Sequence, residues 1–221
     1  LQTLSGSRAY GLDTPESDTD LHGIFLTPTS EFLKLGTSRR GIQDWNESER
    51  IDNVDWELGH FLDLATRCNP TVLESFVAPV IEINEVGTEL RTLLPEVLSR
   101  DRVYQAFSGY AHNQQKKLLA GIGQTNWKFA AQCLRVLFTG VRLVQLGQLQ
   151  IRADQLGEEQ YLRNVRAGKL GIGAVVDRIE VQHQIFTMVY NQAEELDGPL
   201  PARANLDHVN EWLLGVRQQN W

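Results

Sequence analysis

The sequence predicts an α+β fold: a small mixed sheet with helices, followed by a C-terminal helical lobe. Three observations predict it. As far as Ala78-Pro79, short β-prone runs and turn residues alternate with helical stretches. Beyond that point apolar residues recur almost throughout at helical spacing. A chain of 221 residues with 42% hydrophobic content can also bury a substantial core, as one bilobed unit or two small domains. The expected division is therefore residues 1–79 and 80–221.

Taken in order, Leu1-Gln2-Thr3-Leu4 reads as the tail of a strand or helix, and Gly6-Ser7 as a tight turn. Leu21 to Leu26 is apolar and β-prone enough to run as a strand into a core. Residues 36–48 are polar and predict a loop between strands. Leu58, Phe61, Leu62 and Ala65 then form one buried helical stripe. Asn69-Pro70 is an N-cap and first-turn pair for another helix through Val72, Leu73 and Phe76. Later helices are expected over 90–98, 103–119, 127–146, 175–195 and 205–216. The clearest is 127–146, whose apolar stripe is Ala130, Leu134, Leu137, Val141 and Val144. Lys128, Gln132, Arg135, Thr139 and Arg142 lie on its opposite face, where they read equally as solvated surface or as an anion-holding line.

The chemistry concentrates between Gly6 and Gly23. Residues two apart on an extended chain share a side, so Asp18 and Asp20 present two carboxylates together. Such a pair repels itself and is tolerable around a divalent cation; magnesium suits it, taking oxygen ligands and completing its shell with substrate phosphates. Ahead of the pair, Gly6-Ser7 lets backbone N–H groups approach a phosphate, with the Ser7 hydroxyl as a further donor. Taken separately, each half reads first as a solvated turn, since Asp, Ser and Gly are ordinary loop residues. Arg8 and Tyr10 are near enough in sequence to touch a bound nucleotide, and Tyr10 equally fits as core beneath the turn.

Together, Gly6, Ser7, Ala9, Tyr10 and Gly11, then Thr14, Pro15, Ser17, Asp18, Asp20 and Gly23, resemble the signature of the DNA polymerase beta superfamily of nucleotidyltransferases. The likeness is to its bacterial and phage branch, including members associated with RNA repair. The resemblance implies a third carboxylate on a neighbouring strand, and the branch pattern places it at Asp52, ahead of Glu57-Leu58 and Asn69-Pro70. Asp55 is the competitor; a spacing of three turns the two acids to opposite faces of an ideal strand. The branch also carries Lys-x-x-x-His-x-x-Arg on a later helix, which falls on Lys128, Gln132 and Arg135, with Gln132 in place of the His.

What the resemblance implies is two-metal nucleotidyl transfer. Asp18, Asp20 and Asp52 would bind Mg²⁺ or Mn²⁺. Gly6, Ser7, Tyr10, Lys128 and Arg135 would bind a nucleoside triphosphate such as ATP, and the acceptor would be an RNA or DNA end. Transfer of AMP to a protein, and a nucleotide-binding regulatory module without catalysis, are the other classes carried. Arg39-Arg40 and Lys116-Lys117 are lesser candidates for a nucleic-acid path. Glu74 is a further acid near the pattern, and His22 and His112 lack catalytic partner spacing.

Composition narrows the setting. A net charge of −7 and a pI near 5.3 argue against a basic coat for non-specific nucleic-acid binding, while leaving room for a local groove. Cys68 and Cys133 lack metal-ligand spacing and are expected to be buried thiols in a reducing compartment. With no signal segment visible and no expected membrane span, a cytoplasmic enzyme is the expectation.

Overall fold

A computed structural model describes residues 1–36, 41–120 and 126–221. The chain forms two compact units, Leu1–Leu98 with Ala204–Trp221, and Ser99–Arg203. Unit 1 begins with β1 (Gln2–Ser5), α1 (Gly6–Ala9), β2 (Thr19–Phe25), α2 (Thr29–Phe32), β3 (Gly41–Asn46) and β4 (Ile51–Glu57). It continues through α3 (Leu58–Thr66), α4 (Pro70–Glu74), β5 (Val80–Glu82), α5 (Glu85–Thr92) and α6 (Leu94–Val97). Unit 2 is helical: α7 (Arg100–Leu119), α8 (Trp127–Leu146), α9 (Glu159–Arg166) and α10 (Ile172–Glu195). The chain then returns to unit 1 as α11 (Leu206–Gln219).

The sheet of unit 1 is mixed, in the order β3-β4-β2-β1-β5. β2 and β4 are parallel, and the other neighbours are antiparallel. Compactness divides the chain at Leu98/Ser99 rather than at Ala78-Pro79, because β5 pairs with β1 and α6 packs with α3 and α11. Leu58, Phe61, Leu62 and Ala65 are all buried, as their spacing predicts. Glu57 caps α3 by accepting from the Gly59 N–H at 2.8 Å. Asn69 caps α4 by accepting from Thr71 N–H at 3.0 Å, with Pro70 in the first turn.

Three expectations are corrected. Residues 41–46 form β3 rather than part of a loop: as an edge strand it pairs, among the described residues, with β4 alone and is mostly exposed, so the apolar alternation of a half-buried strand is absent. The helix expected over 90–98 is two, α5 and α6, because Pro95 cannot continue the first one's hydrogen bonding. α9 was not expected at all; only Leu162 and Val165 are buried on it, too few to display a period.

In unit 2, α8 packs against α7, α9 and α10. Among the described residues it is the one helix long and apolar enough to cross a membrane by length and composition, and 72% of its apolar window is buried inside the protein. That burial is how a core helix behaves. Cys68 and Cys133 are buried free thiols, the latter with its pKa pushed up to about 12 by desolvation.

Candidate active site

The parallel β2–β4 pair sets the site. In its register Asp20 lies beside Asp52, so the two carboxylates leave one face of the sheet from adjacent strands. Both are half-buried. On the other side of β2, Ser5 pairs with Asp20 and the chain turns sharply through Gly6, at φ +60°. A Cβ on Gly6 would lie 1.7 Å from Asp20 Oδ2, so only glycine lets that turn sit against the carboxylate. Gly6, Ser7 and Asp20 are thereby brought together. Ser7 is buried in the opening of α1.

Asp18 lies just before β2 and is occupied by a guanidinium. Arg50 Nε donates to Asp18 Oδ1 at 2.8 Å, and its Nη2 lies 2.7 Å from the same oxygen and bonds the Glu16 carbonyl. Arg8 braces the same loop from below, donating to the Ser17 carbonyl at 2.8 Å and the Asp18 carbonyl at 3.2 Å. Arg8 is thus a loop brace. Gln43 on β3 donates to Asp52 Oδ1 at 3.4 Å, and Trp45 stands directly opposite Asp52 in the β3–β4 register.

Asp55 belongs to the opposite face. It pairs with Gly23, whose missing Cβ would lie 1.9 Å from Asp55 Oδ1, and it accepts from Asn53 Nδ2 at 2.8 Å. The face that bears Asp20 and Asp52 continues into core: the His22 ring lies 4.8 Å from that of Trp56, and its Nδ1 is 3.4 Å from Ser75 Oγ. Burial drives the His22 pKa down to about 4, the Asp52 charge pulling weakly upward. His22 is therefore a neutral, structural imidazole.

Tyr10 is core. It is buried, and its hydroxyl donates to buried Glu74 Oε2 at 2.5 Å, so its ring sits beneath the turn rather than on an open nucleotide surface. Glu74 closes α4 and serves as Tyr10's partner.

Unit 2 carries the remaining candidates. Lys128, in the first turn of α8, and Arg142 are exposed, but Arg135 is fully buried and Thr139 nearly so, so the middle of this line is neither solvated surface nor an open anion-holding face. Three surrounding helices leave the middle of α8 no open face. Arg135 Nε donates to Gln132 Oε1 at 3.0 Å, and Gln132 Nε2 to the Tyr110 hydroxyl at 3.4 Å. Gln132 thus joins Tyr110 to the buried guanidinium. Lys116 and Lys117 are exposed, with Lys117 Nζ 5.4 Å from the Phe129 ring centre. Arg39-Arg40 lies outside the described residues.

Among the described residues, no three His, Cys, Asp or Glu side chains converge as a ready-made metal centre. The donor chemistry nevertheless fits a hard cation: Asp20 and Asp52 stand abreast with carboxylate oxygens, and Asp18, two residues before, is held aside by an exposed arginine. Arg50, Gln43 and Trp45 were missed as site neighbours by sequence reasoning, since strand register brings them in from a distance. A basic residue placed directly before an acid-bearing strand was the available signal for Arg50.

The chain is 26% identical over 132 residues to an uncharacterised 38.9 kDa protein of Enterobacteria phage T4, a stretch covering 53% of this chain and 38% of the phage protein. It is 26% identical over 119 residues to the uncharacterised protein YcgL of Bacillus subtilis, covering 53% and 45%. The matched region is thus less than half the length of either relative. Residues 1–167, which hold the Gly6 turn, the acids of β2 and β4 and the whole of α8, match the RNA repair pathway DNA polymerase beta family, and to that family of polymerase beta-like nucleotidyltransferases the chain belongs.

Proposed function

We propose that this protein is a magnesium-dependent nucleotidyltransferase that moves a nucleoside monophosphate from a nucleoside triphosphate to a hydroxyl at an RNA end. The observation that carries the reading is the in-register pairing of Asp20 with Asp52, with Asp20 resting against the Gly6 turn. Asp20 and Asp52 would hold the metal, joined by Asp18 once its carboxylate turns from Arg50. Bound there, magnesium would lower the acceptor hydroxyl's pKa and offset charge on the leaving phosphates. The Gly6 backbone and Ser7 would cradle the terminal phosphates beside Asp20. The acceptor oxygen bonds to the α-phosphorus as the bond to the pyrophosphate oxygen breaks, and the hydroxyl proton leaves to Asp52 or water.

The test is incubation of labelled nucleoside triphosphates and Mg²⁺ with RNA, DNA and protein acceptors. Label is expected on RNA. Asp20→Asn and Asp52→Asn should each lower transfer by more than about 10²-fold, since even outer-shell partners of metal ligands are worth 10–100-fold. Asp55→Asn should transfer like wild type. Wild-type rates in Asp20→Asn would sink the reading, and label on protein alone would replace the acceptor.

A further inference from the structure

Resting on that reading, we infer that Trp45 is a stacking platform for the terminal base of a single-stranded RNA acceptor. The placement comes from two registers. Trp45 is paired with Asp52 across the antiparallel β3–β4 ladder, and Asp52 with Asp20 across the parallel β4–β2 ladder. Paired residues share a face, so Trp45, Asp52 and Asp20 form one row over three strands, each step about 4.8 Å. Beyond Asp20 the row ends at the Gly6 turn.

The row has two unlike ends. At the Gly6 end, backbone and a hydroxyl suit phosphate. At the β3 end an indole, 50% exposed on an edge strand, offers a flat π-surface beside a carboxylate. Trp56 packs against His22 and Phe61, and Trp212 Nε1 bonds Glu89 at 3.1 Å. Trp45 has no ring partner among the described residues, and leaving so large an apolar group in water is costly. With the triphosphate at Gly6, the other end belongs to the molecule that brings the hydroxyl. A flat aromatic surface suits an unstacked base, which every nucleotide presents, and so a single-stranded end rather than a duplex. Gln43, two residues away on the same face and bonded to Asp52, fixes the carboxylate next to that base.

The experiment is a binding cycle that does not depend on catalysis. Affinity for a fluorescent short single-stranded oligoribonucleotide is measured without nucleoside triphosphate, for wild type, Trp45→Ala and Trp45→Phe. A second oligoribonucleotide is abasic at its 3′ terminal position. Trp45→Ala should weaken binding of the intact oligonucleotide about tenfold, the usual worth of one stacked base, and Trp45→Phe should recover most of it. The abasic end should cost wild type a similar factor and Trp45→Ala almost nothing. In turnover, Trp45→Ala should raise the acceptor KM and leave that of the nucleoside triphosphate alone.

Unchanged affinity in Trp45→Ala overturns the inference. So does an abasic loss equal in both proteins, which would make Trp45 merely structural, and so does wild type that fails to bind RNA while labelling protein. Trp45-dependent binding by an enzyme that transfers nothing would instead overturn the proposed reaction and leave the platform standing.

Discussion

The two ends of the β2–β4 pair treat carboxylates in opposite ways. At the far end, Glu57 lies beside Phe25 and is fully buried, yet its charge is matched. Arg217 Nη2 donates to it at 2.5 Å, Gly59 N–H at 2.8 Å and Thr27 N–H at 3.4 Å. Arg217 is itself pinned by the Thr27 carbonyl at 2.9 Å and lies 4.2 Å above the Phe32 ring. At the near end, Asp20 and Asp52 stand abreast as like charges, and the arginine there, Arg50, goes to Asp18. A buried acid matched by an arginine is architecture; a half-buried pair of like acids on adjacent strands is where the proposed reaction would seat its metal.

That contrast can be broken in four places. The largest effect should come from Arg217→Met, which strands the Glu57 charge: about 3–5 kcal/mol of stability lost in urea unfolding, with much of it recovered when Glu57→Gln is added. A small effect would mean that Glu57 reaches water and that the two ends differ less than their burial states. Next comes His22, midway along β2. Its folded pKa, near 4, lies below its unfolded value of 6.5, so its contribution is complete above about pH 6.5 and is lost as pH falls toward 4. The loss is up to about 3 kcal/mol, and His22→Gln should flatten that slope. Gly6→Ala should follow, at about 2 kcal/mol or more, from the positive φ and the clash with Asp20. Its removal of transfer activity should exceed what the melting shift explains. The smallest effect is a gain. Asp52→Asn relieves like-charge repulsion and should raise stability by less than about 1 kcal/mol, whereas the same substitution logic at Glu57 lowers it.

What was legible in the sequence was local. The Gly6 turn, the spacing of Asp18 and Asp20, the caps at Asn69 and the limits of α8 all depend on residues within a turn or two of each other. Strand alternation set Asp52 and Asp55 on opposite faces without choosing between them; the family pattern chose Asp52, and the register sets that residue beside Asp20. What was hidden depended on partners far along the chain. Arg50 meets Asp18 across 32 positions, and Tyr10 meets Glu74 across 64, so the partner of neither could be read from its neighbours. β3 was hidden for a different reason: an edge strand needs no buried face and so writes no alternation. Arg135 was hidden because an arginine on a helix reads as solvent-facing until three neighbouring helices enclose it.

The route of the chain also sets an order in time. Unit 2 is one continuous segment, whereas unit 1 takes its last helix from beyond it. As the chain emerges from the ribosome, unit 2 can finish folding while Glu57 still waits for Arg217. The acid-bearing strands are thus translated before unit 2 yet secured by α11 only after it, so that translation arrested before α11 leaves a carboxylate-rich sheet without its anchor.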